Sequence, residues 1–391
     1  MSPSSAAPRE PAAGAAHILT LNAGSSSIKY ALFALHGAPG ERVVAGQVEG
    51  LGGGAATHAD ALQQVITKIG DARVVAVGHR IVHGGVRFDA PVRIDDDSLA
   101  AMAALEPLAP LHQQHNLAGV RAAMQAFPLA PQVACFDTAF HRTMPALHQR
   151  FALPSDLHEA GVRRYGFHGL SYESIHAQLI ARAPALAAAR VVVAHLGNGA
   201  SMCAMLAGRS VATTMSFSPL DGLPMGTRCG RLDAAAVLYL QQQLGMAPER
   251  IAQLLYRESG LLGLSGLSSD LRLLQKSSAP GAREAIEYFV EHVQAEVAGM
   301  TAALHGIDAL VFTGGIGENA RAVREHVVRG LAWLGLKLDA RAHAAKAERI
   351  SSADSAVAVW VLHTDEESVI ARHTARVLAT VPAPAQRQAQ P

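Results

Sequence analysis

Three glycine-rich turns carry the residue types that bind phosphate. Asn22-Ala23-Gly24-Ser25-Ser26-Ser27 joins two apolar runs, and Lys29 follows it. Gly24 lets the backbone turn tightly, while the serines offer hydroxyl and N–H donors. His195-Leu196-Gly197-Asn198-Gly199-Ala200-Ser201 is a second turn of this kind. Thr313-Gly314-Gly315-Ile316-Gly317-Glu318-Asn319 joins an apolar run to a helical one. A helix N-terminus there would attract an anion or nucleotide. Any one turn is accounted for by a tight hairpin that needs glycine; the three in this order are the informative signal. The common nucleotide motifs are missing. Gly330 to Lys337 has one residue too many before the lysine and no hydroxyl residue after it. Gly197-Asn198-Gly199 and Gly315-Ile316-Gly317 each lack the third glycine of a dinucleotide fingerprint.

The elements that must position these turns follow from periodicity. Ile18–Leu21 and Ile28–Phe33 read as a hairpin, with a third strand at Arg42–Val48. Ala59–Ile69 has helical spacing, and Val74–Val77 is a short buried strand leading into GHRIVHGG at 78–85. Helices at Ser98–Leu105 and Gln114–Ala126 precede the strand Val133–Phe136, which delivers Asp137 at its end. The second half repeats this logic. Val191–His195 leads into the second turn, and Met202–Ala207 and Gly208–Met215 complete a meander. Helices follow at Arg231–Leu244, Ala247–Arg257 and Arg283–His305. The strand Ala309–Phe312 runs into the third turn, ahead of a helix at Ala320–Leu331, a strand at Val357–Val361 and a helix at Glu366–Ala379. Strands followed by helices, twice over, predict two related α/β halves.

Composition excludes several classes. The chain has 391 residues, half of them hydrophobic, which suits two or three domains with full cores. A net charge of +1 gives no reason to expect nucleic acid or a membrane surface as partner. Cys135, Cys203 and Cys229 are far apart and form no CxxC pair, as expected of a reducing cytoplasm. The residues before His17 are rich in Ala, Pro and Ser and read as a disordered tail, 1–16. His79 and His83, and His112 and His115, lack the further ligands of a zinc site. Asp95-Asp96-Asp97 reads as a solvated helix start.

Arg80 lies in GHRIVHGG and Arg228 in MGTRCGR, both in glycine-flanked loops after apolar stretches. An arginine fork matches carboxylate and phosphate alike. With LNAGSSSIKY, PLAPLH, FDTAFHRTMP, RRYGFHGLSY, HLGNGAS, SFSPLDGLPMGTRCGRLD, SGLSSDLR, FTGGIGEN and TDEESVIAR, these segments resemble the acetate kinases. That family lies within the actin, heat-shock chaperone and sugar-kinase superfamily. The likeness runs from His17 to Ala379.

The resemblance implies a fold and a chemistry. The fold is two duplicated ribonuclease H-like, actin-type α/β domains facing across a cleft. One domain is 17–150, completed by a C-terminal helix within 366–391; the other is 151–365. The reaction is reversible in-line phosphoryl transfer from ATP to acetate. Such transfer asks for alignment, Mg2+ (or Mn2+) and positive charge. By alignment, Arg228 and His168 stabilise the transition state, Arg80 holds the acyl substrate, and Asp137 orients Arg228, the substrate or the metal. His112 is a second active-site histidine; Gln113-Gln114-His115-Asn116 follows it where the family has Asn-Pro. Asn22 and Glu366 fall at the Mg2+ positions, with Asp365 replacing the usual Asn. Lys29, Ser25 and Ser27 approach the terminal phosphates, as do His195, Leu196, Gly197, Asn198 and Gly199. Gly315, Ile316, Gly317, Glu318 and Asn319, with Asp270, Leu271 and Arg272, line the adenosine site. Leu271 stands where the family has Phe. Val82, Leu111, Phe167 and Pro219 surround the methyl group of the acid. The resemblance also implies a cytoplasmic homodimer. The alternatives are a propionate or other short-chain acyl kinase, a sugar kinase, and a nucleotide-gated binding protein without turnover.

Overall fold

A computed structural model describes residues 14–24, 26–35, 39–51, 57–110 and 112–380. Ser25, Leu111 and most of the expected N-terminal tail lie outside them. The chain divides into two compact units. Residues up to Ala139, with those from Asp365 onward, form one; Phe140–Thr364 form the other.

The first unit is built on a six-stranded sheet of order β3-β2-β1-β4-β6-β5. Its strands are β1 (Ala16–Ala23), β2 (Ser27–Leu35), β3 (Pro39–Glu49), β4 (Arg73–Ile81), β5 (Val92–Arg93) and β6 (Gln132–Phe136). β1, β2 and β3 form an antiparallel meander, and β4 and β6 run parallel to β1. Helices α1 (His58–Ile69), α2 (Asp96–Ala103) and α3 (Gln113–Ala126) belong to this unit, as does the last helix of the chain, α14 (Glu366–Thr380). Both α1 and α2 begin with a capping box, Thr57 with Asp60 and Asp95 with Ser98. The acidic run at Asp95 is thus a helix start, with Asp96 and Asp97 in its first turn. Leu62, Val65 and Ile69 of α1 join Leu19, Leu21 and Leu32 of the sheet in one core.

The second unit holds a five-stranded sheet of order β11-β10-β7-β8-β9. These strands are β7 (Arg190–Leu196), β8 (Ala200–Leu206), β9 (Arg209–Thr213), β10 (Ala309–Thr313) and β11 (Ala358–Val361). Again three antiparallel strands are followed by two parallel ones. The chain has therefore used one topology twice, the ribonuclease H-like core. The unit's helices are α4 (Ser155–Glu159), α5 (Gly169–Arg182), α6 (Ala234–Gln242), α7 (Pro248–Arg257), α8 (Gly260–Ser265), α9 (Leu271–Leu274), α10 (Pro280–Ala303), α11 (Gly314–Asn319), α12 (Arg321–Gly330) and α13 (Ala340–Ala344). Residues 140–150, expected in the first domain, belong to this unit. His141 anchors them: its Nε2 donates to the Phe167 carbonyl at 2.9 Å, and its Nδ1 lies 2.8 Å from Ser210 Oγ.

Two features of this architecture are testable. Gly78 lies on β4 where α14 crosses the sheet. A Cβ there would stand 2.3 Å from Thr374 Oγ1 and 2.6 Å from Ile370 Cγ2. Gly78→Ala is expected to destabilise the protein by about 1–3 kcal/mol, because the methyl forces α14 off the sheet; urea denaturation measures it. Burial pushes His79, His83 and His141 down from 6.5 to about 4. The unfolded chain therefore takes up these protons first as pH falls. Their stabilising contribution is complete above 6.5 and is lost between 6.5 and about 4. Each contributes a slope of up to ~1.4 kcal/mol per pH unit. Urea midpoints followed over this window should fall less steeply in His79→Gln than in the parent.

Candidate active site

In the first unit, strand register gathers the charged groups. Leu21 pairs with His79 and Arg80 with Cys135. Asn22, Arg80 and Asp137 therefore emerge at the same end of β1, β4 and β6. Arg80 grips the buried Asp137 as a fork, Nη2 to Oδ2 at 2.6 Å and Nε to Oδ1 at 3.0 Å. Its Nη1 donates to Asn22 Oδ1 at 3.3 Å. Glu366, the first residue of α14, places Oε2 3.6 Å from Arg80 Nε and 3.5 Å from Asn22 Nδ2. Burial works against the Arg80 charge. Asp137 and Glu366 outweigh it and hold the guanidinium protonated well above its ordinary range.

Asn22 and Glu366 meet through the amide Nδ2, while Asn22 Oδ1 and Glu366 Oε2 both face the Arg80 guanidinium. Among the described residues no group of three or more His, Cys, Asp or Glu side chains could hold a metal. Two side-chain oxygens, one amide and one carboxylate, do not make a dedicated protein cage, so a divalent ion held there would need further oxygen ligands from elsewhere. Asp365 takes no part in this. It accepts hydrogen bonds from the Ser368 N–H and hydroxyl, capping α14, and pairs with Arg42. Lys29 is exposed on β2 directly opposite Asn22. The Gly24 N–H donates to the Ser27 carbonyl at 2.9 Å, closing the turn.

Two further side chains hold this end of the sheet. Asn116 Oδ1 accepts from the Val82 N–H at 2.9 Å, and its Nδ2 donates to the Ala23 carbonyl at 2.6 Å. Gln113 bridges both backbone groups of His83 in the same manner. They tie the loop after β4 to the end of β1. Their signal in the sequence is two amides in the buried stripe of α3, beside Leu117 and Val120. His112 is half-buried at the N-cap of α3 and makes no side-chain cap.

The second unit carries a different set. His168 sits at the start of α5 with φ of +60°, a left-handed conformation rare for a residue with a side chain. Gly166 just before it has φ of +81°, and a Cβ there would meet the His141 ring at 2.5 Å. The His168 ring stacks on His195 with centroids 4.4 Å apart. Arg228 is half-buried, and its Nη1 donates to the Pro219 carbonyl at 3.0 Å. No carboxylate pairs with it among the described residues. Burial pushes its pKa below the ordinary arginine range, with Tyr256 opposing. His168 Nε2 and Arg228 Nη1 flank the second glycine turn: a Cβ on Gly199 would lie 3.7 Å from one and 3.6 Å from the other.

A cavity of about 720 Å3 opens beside that turn, lined by Gly197, Asn198, Asp270, Leu271, Gly315 and Ile316 among others. Arg272 and Asn319 also border it, at its rim. Asp270 caps α9 and pairs with the exposed Arg272. Leu271 is buried and presents an aliphatic wall. Of the second unit's residues expected at the nucleotide, His195, Leu196, Gly199, Gly317 and Glu318 lie off the cavity lining. Gly317 is buried against the end of β10. Glu318 turns back to accept from the Gly314 N–H at 2.9 Å and lies 2.7 Å from His363 Nδ1, so it fills part of the helix N-terminus itself. Leu196 is core, and His195 faces His168. Of the residues expected around the acid, Val82 is buried in the first unit, and Phe167 and Pro219 are buried in the second.

Known proteins agree with this architecture. Residues 17–372 match the family described as the acetokinase family. An acetate kinase of Methylocella silvestris is 51% identical over 92% of this chain and 98% of its own length. An acetate kinase of Clostridium botulinum is 39% identical over 93% and 99%. Among solved structures, a propionate kinase from Francisella tularensis is 37% identical with a TM-score of 0.85, covering 93% of this chain and all of its own. Porphyromonas gingivalis acetate kinase is 36% identical with a TM-score of 0.84 over the same shares. A family match over nearly the whole length, from relatives of almost equal length, leaves one conclusion: the chain belongs to the acetokinase family.

Proposed function

We propose that the protein is an ATP-dependent acetate kinase. The observation that carries this reading is Arg228, a half-buried guanidinium with no carboxylate partner among the described residues, set beside His168 and a glycine turn. An unpaired cation out of water is costly unless an anion arrives. The transferring phosphoryl group supplies that anion.

Acetate is ionised at neutral pH, so no base is needed to prepare it. One carboxylate oxygen attacks the γ-phosphorus of ATP in line, the bond to the ADP oxygen breaks, and acetyl phosphate and ADP result. Arg228 and His168 stabilise the charge on the equatorial oxygens as it builds. Arg80, held by Asp137, orients the acyl carboxylate. Asp137 serves by fixing Arg80 and transfers no proton. Mg2+ at Asn22 and Glu366 would neutralise charge on the phosphates. Lys29, Ser25 and Ser27 meet the terminal phosphates, and the cavity at Leu271 and Ile316 takes the adenosine. Its volume is of the size that holds such ligands.

We also propose a cytoplasmic homodimer. Three free cysteines suit a reducing compartment. No residue of α6 is buried, yet the helix is mostly apolar. Leu238 and Tyr239 are 51% and 56% exposed, and Leu244 just after the helix is exposed as well. A second copy would cover this apolar surface.

Two measurements test these readings. Purified protein with ATP and Mg2+ is offered acetate, propionate, butyrate or no acid, and acyl phosphate is trapped with hydroxylamine. Acetate-dependent product should form, and Arg228→Ala should lower kcat by roughly 10²–10³-fold. A propionate preference above tenfold would move the assignment to a propionate kinase, and no product with any acid would overturn it. Light scattering should give twice the chain mass, and Leu238→Glu with Tyr239→Glu should give the monomer. A parent protein that is already monomeric refutes the dimer.

A further inference from the structure

A neutral imidazole has one donor nitrogen and one acceptor. Which nitrogen holds the proton decides whether His168 can donate to a phosphoryl oxygen or would point a lone pair at it. The groups behind the ring fix this choice. His168 Nδ1 lies 2.8 Å from Ser201 Oγ. Ser201 Oγ is in turn hydrogen-bonded to the Tyr172 hydroxyl. Ser201 and Tyr172 are both fully buried. A phenol is the better donor and an aliphatic hydroxyl the better acceptor. Tyr172 therefore donates to Ser201 Oγ, which frees the serine proton to point at Nδ1. The proton of His168 is then on Nε2, the nitrogen that lies with Arg228 Nη1 around Gly199.

The neighbouring ring is held the same way. Thr364 Oγ1 donates to Ser171 Oγ at 2.8 Å, and Ser171 Oγ lies 2.9 Å from His195 Nδ1. His195 stacks on His168. Two hydroxyl–hydroxyl–imidazole chains thus end on the Nδ1 atoms of two stacked rings.

We propose that Ser201 and Tyr172 are positioning residues that hold His168 as an Nε2–H donor, with Ser171 and Thr364 doing the same for the supporting His195. This rests on the kinase reading above, in which His168 faces the transferring phosphoryl group. Removing the Ser201 hydroxyl releases the tautomer preference while the ring stays seated between His195 and the glycine turn. Transition-state stabilisation is lost, and substrate binding is retained.

The test joins spectroscopy to kinetics. In the full-length protein with 15N-labelled histidine, His168 is assigned by difference against His168→Gln, and its two ring nitrogens are read by long-range proton–nitrogen correlation. The parent should show a protonated Nε2 and a bare Nδ1. Ser201→Ala should give a tautomer mixture and a kcat lower by roughly 10–100-fold. KM for ATP and acetate should stay within about twofold, as for an interaction made only in the transition state. Ser201→Thr, which keeps the hydroxyl, should restore much of kcat, and Tyr172→Phe should give a smaller loss. A proton on Nδ1 in the parent overturns the proposal without any variant having to fold. So does an unchanged kcat in both Ser201→Ala and Tyr172→Phe. A relay that behaves as stated in a protein with no acid-dependent turnover leaves the tautomer control standing and sinks the kinase reading alone.

Discussion

Arg228 holds a charge that the fold does not neutralise, and much of the second unit is arranged around that fact. Its guanidinium is anchored by neutral groups, the Pro219 carbonyl and the Met225 sulfur. These orient it without satisfying its charge. Arg80 is the contrasting case. It is the same residue type, bound by Asp137 with Glu366 behind it, so its charge is already matched. One arginine is held in place by carboxylates, and the other is held by neutral groups that leave its charge unmatched. The difference lies in the supply of carboxylates, not in the arginines.

The first unit assembles its site by strand register. Parallel pairing of β1, β4 and β6 sends Asn22, Arg80 and Asp137 out at one end of the sheet, and the packing of α14 brings Glu366 to the same place. The helix can do this only because Gly78 leaves no Cβ in its path. A packing detail in mid-sheet thereby sets the position of a proposed metal ligand at the strand ends. Asn116 and Gln113 then lock the loop after β4 to the backbone.

Much of this was legible in the sequence, for identifiable reasons. The three turns, the buried strands and the doubled topology follow from glycine placement and apolar runs. Helix α5 was not legible: it starts at a histidine in a left-handed conformation, so no capping residue marks it. The unit boundary lies at Ala139 and not at 150 because Phe140, His141, Thr143 and Gln149 all make their contacts within the second unit. The resemblance implied that all of 315–319 lines the nucleotide site. Once the segment coils into a helix only one face can, and Gly317 and Glu318 are on the other. Asp365 stands in sequence beside an expected Mg2+ position, and its use as a cap depends on Ser368 and Arg42, the latter far away in sequence. The buried stripe of α3 marks Asn116 as unusual, but which backbone groups it meets is not in the pattern.

The duplication also explains how the work is divided. The two hairpins are equivalent: Asn22-Ala23-Gly24 ends β1 as His195-Leu196-Gly197 ends β7. Across the first, Asn22 faces Lys29; across the second, His195 faces Ser201. The first copy carries an amide and a formal charge at its tip, suited to phosphate charge. The second carries an imidazole and a hydroxyl, groups that donate hydrogen bonds without a fixed charge. These two positions therefore place no fixed charge beside Arg228. An acidic or cationic residue at Ser201 would have screened or crowded that arginine. A neutral hydroxyl relay sets the direction of a hydrogen bond and leaves the field of the arginine intact.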